Sequence, residues 1–164
     1  LMLAIAEEHK LRGMLFWLMG DLGQSTLWWP SLVALLLALA LAMPFARELN
    51  LLSRGLLQAR ALGVAVDRLR YAIYLLASLA TAASVTTAGS IGFVGLVVPH
   101  LVRLAVGNDQ RLLLPASVLA GGSLLILADT AARTIIAPQQ LPVGVLTALI
   151  GVPVFLFLLS RQPK

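Results

Sequence analysis

The chain has 164 residues, of which 60% are hydrophobic and only 12% charged, with a mean hydropathy of +0.95. That is about half the charged share of a soluble domain, and a soluble protein of this length cannot hide so much apolar surface. There is no cysteine and the formal net charge is +5, so structural disulfides, thiolate metal sites and cysteine nucleophiles are excluded.

The charges are clustered. Uncharged stretches cover residues 22–46, 71–102, 112–128 and 134–160. A membrane-crossing helix needs about 20 mostly apolar residues, so each stretch can hold at least one crossing. The basic residues punctuate these runs, which fits the bias of membrane proteins toward positive cytoplasmic loops better than nucleic-acid binding.

In chain order, Leu1-Met2-Leu3-Ala4-Ile5-Ala6 runs into Glu7-Glu8 without the basic start of a signal peptide. It reads as the end of a membrane helix, and the chain is expected to be a fragment of a longer protein. An amphipathic piece follows around Lys10 to Gly20, then a turn at Asp21 to Ser25. Trp28 and Trp29 stand where an interfacial aromatic belt would lie, at the start of a span predicted over 27–46. Residues 47–70 form a polar connector with five Arg and two acids, which Gly55 and Gly63 could break into two short helices. The stretch after Arg70 is too long for one helix. Thr86-Thr87-Ala88-Gly89-Ser90 divides it into spans over 71–87 and 91–106, the second one short. Gly107-Asn108-Asp109-Gln110 is a turn. Spans over 112–133 and 143–160 follow, separated by Ala137 to Pro142.

Placing 47–70 in the cytoplasm and alternating sides puts Arg47, Arg54, Arg60, Arg68, Arg70, Arg103, Arg111, Arg161 and Lys164 inside, against Lys10, Arg12 and Arg133 outside. This orientation makes the C-terminus cytoplasmic. Small residues recur within the spans, including Gly89, Gly92, Gly95 and Gly144, and lipid offers no hydrophobic drive between helices, so close packing through them must hold the bundle. Pro99, Pro115 and Pro153 imply kinks. The expected fold is an all-α polytopic transmembrane helix bundle, a single domain over 1–164 with about five full spans plus the end of a preceding helix.

Catalytic patterns are missing. The only His residues are His9 and His100, and Gly89-Ser90-Ile91-Gly92 lacks the spacing of a nucleophile elbow. Asp129 is the single carboxylate inside a span, where an aspartyl site needs two. One helix-end His at 100 with no second ligand argues against a metal centre, and no P-loop is present, so the chain does not itself bind ATP in that mode. No metal or cofactor is expected. Two features point to docking instead. Leu56, Leu57, Leu62 and Val66 interleave with Arg54, Arg60, Arg68 and Arg70, which makes short amphipathic helices able to seat in a partner's groove; the alternative is a solvated basic loop held by lipid headgroups, which would not need those Leu and Val residues. Asp129 and Arg133 share a helix face four residues apart, which makes a local ion pair and is compatible with Arg133 offering a cation to an external acidic partner.

The run Gly89-Ser90-Ile91-Gly92-Phe93-Val94-Gly95-Leu96-Val97-Val98-Pro99-His100-Leu101-Val102-Arg103 strongly resembles the FecCD family of importer permeases. Leu127-Ala128-Asp129-Thr130-Ala131-Ala132-Arg133, Leu141-Pro142-Val143-Gly144, Gly151-Val152-Pro153 and Ala59-Arg60-Ala61-Leu62-Gly63-Val64 extend the likeness over nearly the whole chain. The resemblance implies the C-terminal half of a ten-helix permease that works as a dimer of permease subunits with separate ATP-hydrolysing subunits, carrying iron–siderophore complexes, or haem or vitamin B12, across the inner membrane. It implies that Arg60, Ala61, Leu62, Gly63 and Val64 couple to the ATPase. It also implies that Arg133 meets a glutamate of a periplasmic binding protein, and that Gly89, Gly92, Gly95, Pro99 and Gly144 serve helix packing and gating. A non-transporting membrane assembly protein is the alternative of a different class.

Overall fold

The computed structural model describes residues 8–23, 28–136 and 139–160, with side chains from Gly13 onward. The remnant helix expected at residues 1–7, the basic residues Arg161 and Lys164, and the side chains of Lys10 and Arg12 lie outside the described part. The described residues are helical, with no strand. In order they form α1 (Glu8–Leu18), α2 (Trp29–Ala42), α3 (Ala46–Leu52), α4 (Leu56–Ala61), α5 (Val66–Ala88), α6 (Val94–Val106), α7 (Gln110–Thr134) and α8 (Val143–Ser160).

Pro30 in the first turn of α2 supplies a preset φ and no needed donor. At Met43–Phe45 the helix tightens to a 3₁₀ turn around Pro44 and then continues as α3. The result is one apolar rod, Trp29–Leu52, of 24 residues. It extends six residues beyond the predicted end of the span, because Arg47, Glu48 and Asn50 end the apolar pattern without ending the helix. Among the described residues, four helices are long and apolar enough to cross a membrane: Trp29–Leu52, Val66–Ala88, Gln110–Thr134 and Val143–Ser160. The fifth expected span is only the 13-residue α6. At 1.5 Å per residue it reaches about 20 Å, short of the ~30 Å hydrocarbon core. Its missing first turn is the segment 91–93, where Phe93 holds a positive φ of 66°.

Several hydroxyls inside the apolar helices return to the preceding turn. Thr81 donates to Ala77 O at 2.8 Å and Thr130 to Ile126 O at 2.8 Å. This satisfies groups that lipid cannot.

The described residues cluster into two compact units, and α5, α6 and α7 contribute to both. One unit holds 8–23, 85–97 and 121–160, with Val97, Ala128, Ala132, Val143, Thr147 and Gly151 buried. The other holds 28–84 and 98–120, with Ala46, Ala59, Val66, Leu69, Val98 and Leu113 buried. Between 0% and 17% of the apolar window of each spanning helix is buried within the chain, so most of the large apolar side chains face outward, as a lipid-embedded bundle requires.

Candidate docking surfaces

The connector resolves into one free-standing short helix rather than two. Gly55, at φ 129° and ψ 147°, starts α4, and Gly63, at φ 82°, follows its end. The flanking segments 47–52 and 66–70 belong to the long helices. α4 is anchored by Ala59, which is fully buried, and by the bond from Val64 N to Ala59 O at 3.0 Å. Arg60, Ala61, Leu62 and Gly63 are exposed, and Val64 is half-buried. Leu57 is 81% and Leu62 65% exposed, so the helix presents apolar side chains beside cations. Arg60 Nη2 stands 3.7 Å from Asp67 Oδ2 with both side chains largely solvated, a pairing that contributes little to stability.

The connector is tied down by a contact that the sequence did not disclose. Asn50, in α3, donates through Nδ2 to Asp109 Oδ1 at 2.7 Å, and its Oδ1 accepts Gln110 N at 2.8 Å. Asp109 Oδ1 also accepts Arg111 N at 3.0 Å, so Asp109 caps the start of α7. The Asn50 amide first, and the Arg111 N–H next, hold the Asp109 carboxyl below the ordinary aspartate range. A lowered value means the carboxylate stabilises the fold above the unfolded-state pKa and loses that effect as pH falls through the folded one. Asn50→Ala is expected to speed amide exchange at Gln110 by about fivefold or more by loosening this end of α7; an unchanged rate would show that Asn50 does not hold the cap. Only the Asp one residue before Gln110 was a visible cap signal. Nothing in the spacing connects it with Asn50.

A second cluster gathers at the end of α1. Asp21 N donates to Ala88 O at 3.0 Å, Ser90 Oγ to Leu18 O at 2.5 Å and Gly144 N to Gly20 O at 3.4 Å. The carbonyl oxygens of Trp17 and Met19 lie where Gly89 and Gly144 would carry a Cβ. A Cβ on Gly20 would stand 2.9 Å from Ile91 Cγ1. Gly89 and Gly144 are therefore brought together by α1. Gly92 and Gly95 are not: a Cβ on either meets nothing within 4 Å. Pro99 lies inside α6 and is half-buried, like His100. Gly151, another of the small residues expected to pack within the spans, takes the side chain of Phe93 against its Cα.

In the same unit Arg133 Nε donates to Asp129 Oδ2 at 2.8 Å, with the two side chains 40% and 26% exposed. Among the described residues no group of three or more His, Asp or Glu side chains could hold a metal ion.

Residues 1–161 match the family model for the FecCD transport family. The chain belongs to that family. It is 47% identical over 161 residues to the hemin transport system permease protein of Yersinia pestis, covering 96% of this chain and 48% of that one. It is 47% identical to the cobalamin import system permease protein of Halobacterium salinarum, covering 98% and 43%. It is 40% identical to an Fe(3+) dicitrate transport system permease protein of Escherichia coli, covering 98% and 48%. A solved metal-chelate type ABC transporter in an inward-facing conformation superposes with a TM-score of 0.83 at 37% identity, over 98% of this chain and 53% of that one. This FecCD chain thus spans about half the length of the relatives it matches.

Proposed function

We propose that this chain forms the C-terminal half of an inner-membrane permease in an ATP-driven importer for iron–siderophore complexes. It does no covalent chemistry; a separate ABC ATPase subunit hydrolyses ATP. A periplasmic substrate-binding protein delivers cargo, a second permease subunit completes the pathway, and lipid surrounds the outward-facing apolar side chains. The charge distribution supports a cytoplasmic connector, an external Arg133 and a cytoplasmic C-terminus.

The observation that carries this reading is α4 in a FecCD chain: a six-residue helix between two positive-φ glycines, with Leu57 and Leu62 projecting beside Arg60. Apolar side chains this exposed in a polar connector fit a partner's groove. In the proposed cycle, closure of the ATPases displaces the 47–70 connector and rocks the helices between inward- and outward-open states.

The test is Leu57→Asp combined with Arg60→Glu in the assembled permease. Co-purification of the ATPase and substrate uptake are expected to fall at least about tenfold, since buried anchors at an interface are worth roughly 2 kcal/mol or more. Unchanged assembly and uptake would remove the coupling assignment and favour an assembly protein. The 47% identity to hemin and cobalamin permeases supports a second cargo reading, haem or vitamin B12. Parallel uptake of a ferric siderophore, haem and cobalamin separates the three.

A further inference from the structure

The connector is covalently continuous with two long helices, the Trp29–Leu52 rod before it and α5 after it. α7 belongs to neither, yet it is fastened at the same place. Asn50 lies in the last turn of α3, and its one amide spans two consecutive residues at the start of α7. Nδ2 donates to Asp109 Oδ1 at 2.7 Å, and Oδ1 accepts Gln110 N at 2.8 Å. Two bonds from one planar amide fix direction as well as distance. Both ends of this contact are held. On the connector side, Ser53 closes α3 through N to Leu49 O at 2.9 Å and Oγ to Asn50 O at 2.8 Å. Arg54 N to Leu51 O and Gly55 N to Leu52 O continue the run of bonds to Gly55, where α4 begins. On the α7 side, Asp109 Oδ1 accepts Arg111 N at 3.0 Å, Asp109 O accepts Leu113 N at 2.8 Å, and Leu113 is buried. Toward α6 the turn passes through Gly107, at φ 84°, where a Cβ would meet nothing within 4 Å. The start of α7 is thus tied to the connector and joined to α6 through permissive backbone.

We propose that Asn50 is a clip between the connector and α7, so that a displacement of α4 reaches α7 as well as the two helices that the connector joins. Asn50 is a positioning residue of the transport cycle, acting through Asp109 and Gln110, and its role rests on α4 being the element that the ATPase moves, as proposed above. The competing role is a plain helix cap. A cap that is lost weakens the start of α7, and whatever protein misfolds loses uptake and ATP hydrolysis together. A clip that is lost leaves the ATPase turning over while α7 no longer follows, so uptake falls for each ATP hydrolysed. Coupling carried by a bonded contact of this kind is read from that ratio and not from the amount of protein.

The test uses the full permease assembled with its ATPase in liposomes, supplied with its substrate-binding protein and with whichever of a ferric siderophore, haem or cobalamin the wild type takes up. ATPase co-purification, ATP hydrolysis and uptake are measured together. Asn50→Asp removes the Nδ2 donor and sets two carboxylates against each other. It is expected to leave co-purification within about twofold and to lower uptake per ATP hydrolysed about fivefold or more. Adding Asp109→Asn exchanges the partners. The amide now at position 109 donates to the carboxylate at position 50, which still accepts Gln110 N, and the amide oxygen still accepts Arg111 N. Uptake per ATP hydrolysed should return to within about twofold of wild type, as for two residues that act through one contact. A wild-type ratio in Asn50→Asp, or no recovery in the exchange, overturns the clip. So does a loss of co-purification as large as the loss of uptake, because Asn50 then only shapes α4. Should Asn50→Asp fail to accumulate, Asn50→Ala loses both bonds without the repulsion; a lowered ratio supports the clip and an unchanged one overturns it. Failure of the coupling reading itself shows separately, as wild-type uptake in Leu57→Asp with Arg60→Glu, and would remove both.

Discussion

Gly144→Val removes about 3 kcal/mol or more from the fold, at the upper end of what overpacking costs, because the atom it meets is backbone. A Cβ at Gly144 lands on the carbonyl oxygen of Met19, and one at Gly89 lands on that of Trp17. A flexible side chain would swing aside. These carbonyls cannot, because the end of α1 is fixed by Asp21 N to Ala88 O at 3.0 Å, Ser90 Oγ to Leu18 O at 2.5 Å and Gly144 N to Gly20 O at 3.4 Å. Gly89 carries an additional demand, a φ of +71°. Even Gly89→Ala therefore combines a backbone collision with a conformation that costs a non-glycine residue about 1 kcal/mol or more. Domains have only about 5–15 kcal/mol in hand, so either change is expected to cut the yield of monodisperse protein and lower the unfolding temperature in detergent. Tryptophan fluorescence is a suitable readout, since Trp17 belongs to the contact. Gly92→Ala and Gly95→Ala are the controls: each new methyl enters open space within the chain, and stability should stay within about 1 kcal/mol. Wild-type unfolding of Gly144→Val would show that α1 does not pack here.

The contrast among these glycines marks how far the sequence could be read. The α8 boundaries, Val143–Ser160, coincide with the prediction because Pro142 and the charge-free run define both ends. The break after α5 lies at Gly89, inside the segment that the small residues and threonines had suggested. The membrane pattern did not show where helices end in water, so α3 and the start of α5 absorbed most of a connector that had seemed separate. Gly89, Gly92, Gly95 and Gly144 look alike in sequence. Two of them receive a backbone carbonyl, and at the other two a Cβ would meet nothing within 4 Å among the described residues. The decisive atoms belong to Trp17, Leu18 and Met19 as carbonyls, and a carbonyl carries no residue signature. The same holds for Asn50 at the start of α7: polar residues 59 apart become one cap only after folding. Asp129 and Arg133 were legible because helical spacing alone sets their meeting.

Gly55→Val is expected to dissolve α4 while leaving the long helices standing. At φ 129° and ψ 147° Gly55 occupies backbone space that valine reaches only at a cost of about 1–3 kcal/mol. No side chain collides, because a Cβ there meets nothing within 4 Å, so the penalty is purely conformational. It falls on the weakest element. A helix of six residues has almost no stability of its own, and α4 is held by the burial of Ala59 and by the turns at its two ends. Loss of the first turn frees the bond from Ala59 N to Gly55 O and lets the segment open locally. Trypsin should then cut after Arg54 or Arg60 about tenfold faster or more, since cleavage follows the population of the open form. The global unfolding temperature should move by no more than about 2 °C, as expected when the change is confined to one sub-global unit. Gly63→Ala, at φ 82°, should act in the same direction by about 1 kcal/mol. Gly122→Ala, inside α7 with open space around it, should do nothing to the connector. If α4 is the coupling element, Gly55→Val loses ATPase association in proportion to its gain in trypsin sensitivity, because the same opened population fails at both. Trypsin resistance equal to wild type would mean that the glycine geometry does not hold α4 in place. Full ATPase association in a trypsin-sensitive variant would mean that α4 is not what the ATPase grips.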